Sequence, residues 1–197
     1  TQSPSSAASD VYKRQIQVSF YILIGFILAY GSDPSGAAMS RDDMLIAVLL
    51  ASALQVPTQF WASAYSDRHG RRGIFMLGAV LTGVWGFALF PLVDTGNFWL
   101  IVLGITGGLV FLGLMYGPQA AFFTELFSTE VRYSGASLGY QIGAILGGAF
   151  APTIATILWT EYDIVWVSAY IALASVLALI SVMMLTETYQ TNLNEAS

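Results

Sequence analysis

The sequence predicts an all-α, polytopic membrane protein built as a bundle of six transmembrane helices. Of its 197 residues, 56% are hydrophobic and only 10% are charged, whereas about 25% of the residues of a soluble domain are charged. The mean hydropathy of +0.67 indicates the same class. Because one membrane span takes about 20 apolar residues, a chain of 197 residues has room for roughly six spans joined by tight loops.

Each predicted span is an apolar run that turn signals or charged residues bound at its ends. The second span opens at Ser40, where Asp43 three residues later completes a capping-box pattern. The fourth carries Pro118 and the fifth Pro152, whereas the sixth has no Gly, Pro, Gln or charge from Ile164 to Leu185, as expected of an outer helix that faces lipid. The bundle covers residues 16–188, with spans at about 16–31, 42–65, 73–93, 97–126, 133–158 and 163–186.

The two ends of the chain are predicted to lie outside this bundle. Residues 1–15 are polar, rich in Ser and Ala, and lack the apolar core of a signal peptide. They are expected to be a non-native linker, with native sequence beginning upstream. Residues 189–197 are expected to form a cytoplasmic tail.

Composition also excludes several kinds of chemistry. The absence of cysteine removes disulfides and thiolate metal sites, and no metal or other cofactor is expected. Nucleic-acid binding needs a surface of lysine and arginine, but only seven residues are basic and the formal charge is −5. The lipid bilayer is the first partner that the sequence predicts.

Basic residues in short loops stay on the cytoplasmic side of a membrane, and their distribution here predicts an orientation. The second connection holds Arg68, Arg71 and Arg72, and the fourth holds Arg132, whereas the other connections are mainly acidic. Both ends are therefore expected to be cytoplasmic.

Small residues recur every fourth position in the fifth span, which predicts close helix packing on one face. These residues are Gly135, Gly139, Gly143 and Gly147. The first two also frame Ser137 in a G-x-S-x-G pattern, but a serine nucleophile needs a strand-to-helix turn and a neighbouring histidine base. The sole histidine lies in the second connection, so no enzyme is predicted.

Polar side chains inside the spans are few, and each forms either an interhelical hydrogen bond or a substrate contact. The first role is the commoner one for any single residue. Gln55 and Gln59 lie one turn apart beside Pro57, which favours a shared cavity-facing side. The candidate substrate contacts are Tyr21, Gln55, Gln59, Tyr116 and Gln141. No ionisable residue lies near a span centre, so the chain offers no proton carrier of its own.

The connection Ser66-Asp67-Arg68-His69-Gly70-Arg71-Arg72 resembles the Asp-Arg-x-Gly-Arg-Arg/Lys loop of the major facilitator superfamily of secondary transporters. Composition alone would explain it as a basic loop that sets orientation. The ordered motif after a span instead favours a gate. Ser63 departs from the family pattern, which usually has Gly at that place. The resemblance implies gating roles for Asp67, Arg68, Gly70, Arg71 and Arg72, with Glu125 and Arg132 as partners.

A second segment resembles the metabolite:proton symporter branch of the same superfamily. It runs from Tyr116 to Phe127 and from Val131 to Gln141, with Ser128 where the family commonly has Pro. The resemblance implies that the spans are the C-terminal six of a twelve-helix fold whose N-terminal half is absent. It also implies a fragment of a bacterial plasma-membrane transporter that carries a small organic acid or a zwitterion such as a betaine, by proton symport. The alternative from the residues alone is a self-contained six-span protein that acts as a homodimer or a structural partner.

Overall fold

Helices are the only regular secondary structure among residues 17–125, 148 and 150–184, which are those that a computed structural model of the chain describes. The all-α prediction is thereby confirmed for this part of the chain. We label the helices in chain order: α1 (Gln17–Ser32), α2 (Arg41–His69), α3 (Arg71–Asp94), α4 (Phe98–Glu125), α5 (Ala151–Glu161) and α6 (Ile164–Met184). Among them α2, α3, α4 and α6 are long and apolar enough to cross a membrane, whereas α1 is shorter.

The start of α2 follows from its capping residue. Ser40 has extended backbone angles, its Oγ accepts a hydrogen bond from the Asp43 amide at 3.1 Å, and the same hydroxyl donates to Asp43 Oδ2 at 2.7 Å. This exchange satisfies an N–H group that the first helical turn leaves without a partner. The predicted N-cap at Ser40 is therefore present, but the Asp43 carboxylate accepts from the Ser40 hydroxyl and not from the Ser40 amide as in a capping box.

The end of α2 differs from the prediction. The second span was expected to stop near residue 65 and a basic loop to follow, but α2 continues through Asp67, Arg68 and His69. Gly70, with φ 97° and ψ 150°, is the single residue between α2 and α3. The positive φ ends the helix because it lies outside the α region, and a glycine is the residue that adopts it without a steric penalty.

Helix α1 contains a π-helical segment, Ile22–Phe26, that the sequence pattern does not reveal. The amide of Ile27 donates to the carbonyl of Ile22, one residue further back than in an α-helix. The wider turn places Ile22, Leu23 and Phe26 in the core. Leu23 packs against Gly108 of α4.

The bundle is centred on α4, which packs between α2 and α3, while α3 also packs against α6. Glycines of α3 allow these contacts: Gly78 faces Met115 of α4, and Gly83 faces Ser175 of α6. The Ser168 hydroxyl donates to the buried carbonyl of Gly86 at 2.8 Å and joins α6 to α3. The opposite face of α6 is apolar and exposed, through residues such as Leu173, Val176, Leu177 and Ile180.

Candidate functional site

The centre of the candidate site is the contact between α2 and α4. A methyl group built on Gly117 would lie 2.6 Å from the Gln59 carbonyl oxygen and 2.9 Å from the Ser63 amide nitrogen, so the helices meet backbone to backbone. At Gly113 the same construction lies 3.4 Å from Gln55 Cγ and 3.6 Å from Gln59 Cγ. The spacing of Gly113 and Gly117 thus places both predicted glutamines on the side of α2 that faces α4.

Gln55 is the most informative of the predicted substrate contacts. It lies at the midpoint of α2 (Arg41–His69), and its side chain is only 5% exposed. Its Nε2 has no hydrogen-bond partner among the residues that the structure describes. A buried amide donor without a partner costs free energy in an apolar bundle. Gln55 therefore differs from a side chain whose interhelical hydrogen bond is already formed.

Two predicted tyrosines contact the same phenylalanine. The Phe20 ring packs edge-on against Tyr21 with centroids 5.9 Å apart, and at a tilt of 47° against Tyr116 with centroids 6.0 Å apart. Tyr21 also packs against Gly148, and 40% of it stays exposed. Helix α4 therefore lies between the two pairs: the tyrosine pair is where it faces α1, and the glutamine pair is where it faces α2. Gln141 lies outside the described residues.

Two further glutamines of this region were not among the predicted substrate contacts. Gln17 of α1 and Gln119 of α4 are buried as deeply as Gln55. Their residue type inside an apolar run is a signal that could have found them. The π-helical segment that follows Tyr21 has no such signal, because it depends on how α1 packs.

The predicted gate motif forms the elbow between α2 and α3. Arg71 Nη1 lies 3.2 Å from Asp67 Oδ1 across the turn at Gly70. The Arg71 side chain is only 12% exposed, whereas that of Asp67 is 56% exposed. This ion pair joins the end of one helix to the start of the next.

The remaining motif residues have separate places. Arg72 Nη2 donates to the Met183 carbonyl at 2.9 Å, so it holds the end of α6, where a cation also interacts favourably with the helix dipole. Arg68 and His69 are exposed, and the His69 ring stacks on Tyr65 with centroids 4.4 Å apart. Glu125 is the last residue of α4.

Several of the predicted residues cannot be placed. Arg132 and the glycine stripe of the fifth span, Gly135, Gly139, Gly143 and Gly147, lie outside the described residues.

At the opposite end of the bundle, the Tyr30 hydroxyl donates to Asp94 Oδ1 at 2.5 Å and joins α1 to α3. Tyr30 is buried among three aromatic rings, those of Phe26, Phe90 and Trp159. No cluster of three or more His, Asp or Glu side chains that could hold a metal occurs within the described ranges.

Comparison with known proteins gives a consistent set of matches. The sequence profile described as the Major Facilitator Superfamily matches residues 14–196. The inner membrane metabolite transport protein YhjE of Escherichia coli is 35% identical over 86% of this chain and 39% of its own length. The shikimate transporter of Escherichia coli is 31% identical over 79% of the chain and 35% of its own length.

A more distant relative is the citrate-proton symporter of Klebsiella pneumoniae, which is 28% identical over 71% of the chain and 31% of its own length. The chain thus spans well under half the length of these three relatives. No solved structure matches it significantly.

Proposed function

Because the chain belongs to the Major Facilitator Superfamily, we propose that it is part of a secondary active transporter for a small polar metabolite. The cargo is an organic acid or a zwitterion such as a betaine, and transport is coupled to protons and works by alternating access. The relatives are named for transport of metabolites, of shikimate and of citrate with protons, which supports this activity. The name of the Escherichia coli relative also supports a bacterial inner-membrane location.

The observation that carries the proposal is the unpaired amide of Gln55. Transporters of this kind bind substrate near the bilayer midplane between two bundles, and Gln55 lies at the midpoint of a helix long enough to span. A substrate carboxylate or hydroxyl oxygen would accept the hydrogen bond that Nε2 does not make within the described part of the chain. Tyr21, Gln59, Tyr116 and Gln141 complete the proposed substrate side.

The coupling proton, and the countercharge for a carboxylate bound at Gln55, come from elsewhere in the transporter. We propose that a second set of six helices in the same polypeptide supplies both, and that both ends of this bundle are cytoplasmic. The relatives extend far beyond the matched region, so the matches do not favour a self-contained six-span homodimer. A genomic read upstream of residue 16 tests this point, since six further spans in frame are expected there.

Transport itself is tested by uptake. The complete protein that contains this chain is expressed in cells that lack uptake of shikimate, citrate and glycine betaine, and each labelled compound is offered in turn. Saturable uptake of at least one of the three is expected, with loss on addition of a protonophore. Uptake of all three at the level of empty cells, with the protein present in the membrane, would refute the proposal.

The role of Gln55 is tested in the same assay. A hydrogen bond from a buried amide to a charged acceptor is worth about 1.5–3 kcal/mol, so Gln55→Ala is expected to raise the KM for uptake at least about tenfold. Thr156→Ala is the matched control, because the exposed Thr156 hydroxyl donates only to the Pro152 carbonyl of its own helix. Equal KM values in the two variants would remove Gln55 from the substrate site.

The gate is proposed from the motif and its elbow geometry, with Arg68, Gly70 and Arg72 as parts of the motif and Glu125 and Arg132 as cytoplasmic partners. Asp67→Asn and Arg71→Ala each remove the ion pair at the elbow. Both are expected to lower the maximal uptake rate while leaving substrate affinity unchanged. Wild-type rates in both variants would contradict a gating role.

A further inference from the structure

A second cavity lies away from the glutamines and tyrosines of the proposed substrate side. It has a volume of about 370 Å³, which is within the range of about 300–1,000 Å³ that small-molecule sites occupy. The end of α1, the α1–α2 connection and the first residue of α2 line this cavity, which is partly open to the surroundings. Its lining comprises Gly25, Leu28, Ala29, Ser32, Asp33, Pro34 and Arg41.

Two opposite charges face this one cavity without neutralising each other. Asp33 and Arg41 both line it, yet no ion pair within 4.0 Å joins them in the described part of the chain. The Arg41 guanidinium donates no hydrogen bond to any described residue, and Asp33 Oδ2 accepts none from them. The rest of the lining is apolar or small, so the cavity presents an anion and a cation beside a hydrophobic surface.

Hydrogen bonds of the connection fix the backbone from which both charged side chains extend. The Asp33 carbonyl accepts hydrogen bonds from the amides of Gly36 and Ala38 at 3.0 and 3.1 Å, and the Met39 amide donates to Gly31 at 2.9 Å. The Ser40 cap then fixes Arg41 as the first residue of α2. The connection is therefore a hydrogen-bonded turn, so a ligand has to order the Arg41 side chain but not the backbone of the site.

Hydrogen bonds also keep the Asp33 carboxylate in its ionised form. The amide and the hydroxyl of Ser35 both donate to Asp33 Oδ1, at 2.8 and 2.5 Å. These hydrogen bonds hold the pKa of Asp33 below its ordinary value, because they favour the ionised form. Asp33 thus stays an anion at neutral pH.

We propose that this cavity is a second binding site of the transporter, selective for a small zwitterion whose carboxylate meets Arg41 and whose ammonium group meets Asp33. A simple anion would be repelled by Asp33 and a simple cation by Arg41, so only a ligand with both charges gains from both walls. The proposal rests on the proposed function in taking the ligand to be the transported metabolite, and it narrows that metabolite to the zwitterionic class.

The test uses the lack of cysteine in this chain. In the complete protein, with any other cysteines replaced by serine, Ser32→Cys places a thiol in the cavity wall, and Ala29→Cys gives a second reporter. Thr95→Cys is the matched control, since Thr95 lies in the connection before α4. Its hydroxyl donates to the Leu92 carbonyl at the end of α3, as the Ser32 hydroxyl donates to the Leu28 carbonyl at the end of α1. The rate of alkylation by N-ethylmaleimide is measured with glycine betaine, choline or acetate present.

Glycine betaine is expected to slow alkylation at both cavity positions and not at position 95, with choline and acetate ineffective at the same concentration. Added to the Ser32→Cys reporter, Asp33→Asn or Arg41→Gln is expected to raise the half-protecting concentration at least about tenfold. Asp42→Asn removes a neighbouring carboxylate that does not line the cavity, so a change of less than about twofold is expected. Alkylation of the control thiol and the melting temperature show that each variant is folded.

Three results would overturn the inference. The first is equal protection by choline or acetate, and the second is no effect of either charge-removing variant. The third is the absence of alkylation at position 29 and at position 32. Uptake is measured separately. Uptake without betaine protection would refute the second site and leave the transporter standing, whereas protection without uptake of any compound would refute the transporter and leave the site.

Discussion

The close approach of α2 and α4 can be tested with a single methyl group, through Gly117→Ala. The added Cβ would lie 2.6 Å from the Gln59 carbonyl oxygen, about 0.8 Å inside ordinary contact at 3.4 Å. It would also lie 2.9 Å from the Ser63 amide nitrogen. Both atoms belong to the backbone of a helix, so no side-chain rotation relieves the clash and the helices have to separate.

The size of the effect follows from two opposing terms. Overpacking of this kind costs about 1–3 kcal/mol, while replacement of glycine by alanine inside a helix contributes up to about 1 kcal/mol of stability. Gly73→Ala isolates the second term, because Gly73 also lies in a helix but has nothing within 4 Å of the added methyl. Gly117→Ala is therefore expected to be less stable than Gly73→Ala by about 1–3 kcal/mol.

The assay is equilibrium unfolding of the complete protein in mixed micelles of mild detergent and SDS, followed by helical circular dichroism. Gly113→Ala is expected to fall between the other two variants, since its nearest contact, Gln55 Cγ at 3.4 Å, is an ordinary one. If Gly117→Ala and Gly73→Ala unfold at free energies within about 0.5 kcal/mol of each other, the backbone-to-backbone contact does not exist. The assignment of Gln55 and Gln59 to that interface would then lose its basis.

Three further changes have expected outcomes in the same unfolding assay. Gly70→Ala is expected to destabilise by about 1–2 kcal/mol, because φ is 97° there and side chains disfavour positive φ; unchanged stability would contradict that backbone angle. Tyr30→Phe removes the 2.5 Å hydrogen bond to Asp94 and is expected to cost about 1–2 kcal/mol, with no additional loss when Asp94→Asn is combined with it; additive losses would show that the two side chains do not interact. Trp85→Phe removes the 2.8 Å bond from Nε1 to the Gly104 carbonyl and is expected to cost about 1 kcal/mol; a neutral outcome would show that this bond contributes nothing.

Helix positions and family follow from local sequence. The helices α1 and α3 begin and end within two residues of the predicted spans 16–31 and 73–93, whereas the predicted span 133–158 contains Phe150, which lies outside any helix. Apolar runs report span positions because every residue of a span faces either lipid or other helices. The resemblance to the major facilitator superfamily came from ordered motifs and is confirmed by the profile match over residues 14–196.

Contacts between distant residues could not be read in this way. The sequence placed Arg72 in a basic loop, but it binds the Met183 carbonyl 111 positions later. The sequence also treated Gln55 and Gln59 as equivalent, whereas packing against α4 buries Gln55 with its Nε2 unpaired in the described part of the chain and leaves Gln59 partly exposed.

The cavity lined by Asp33 and Arg41 shows most clearly what the sequence predicts and what only the folded structure decides. The sequence supplied two opposite charges near a helix start, and residues of that kind ordinarily pair on a surface. The turn that holds Asp33, with its backbone bonds to Gly36 and Ala38, brings both charges to one cavity with no ion pair between them in the described part of the chain. Charge and helical periodicity are properties of neighbouring residues and can be read directly from the amino-acid sequence. The separation of two side chains depends on backbone geometry that is set when the helices pack, and it exists only in the folded chain.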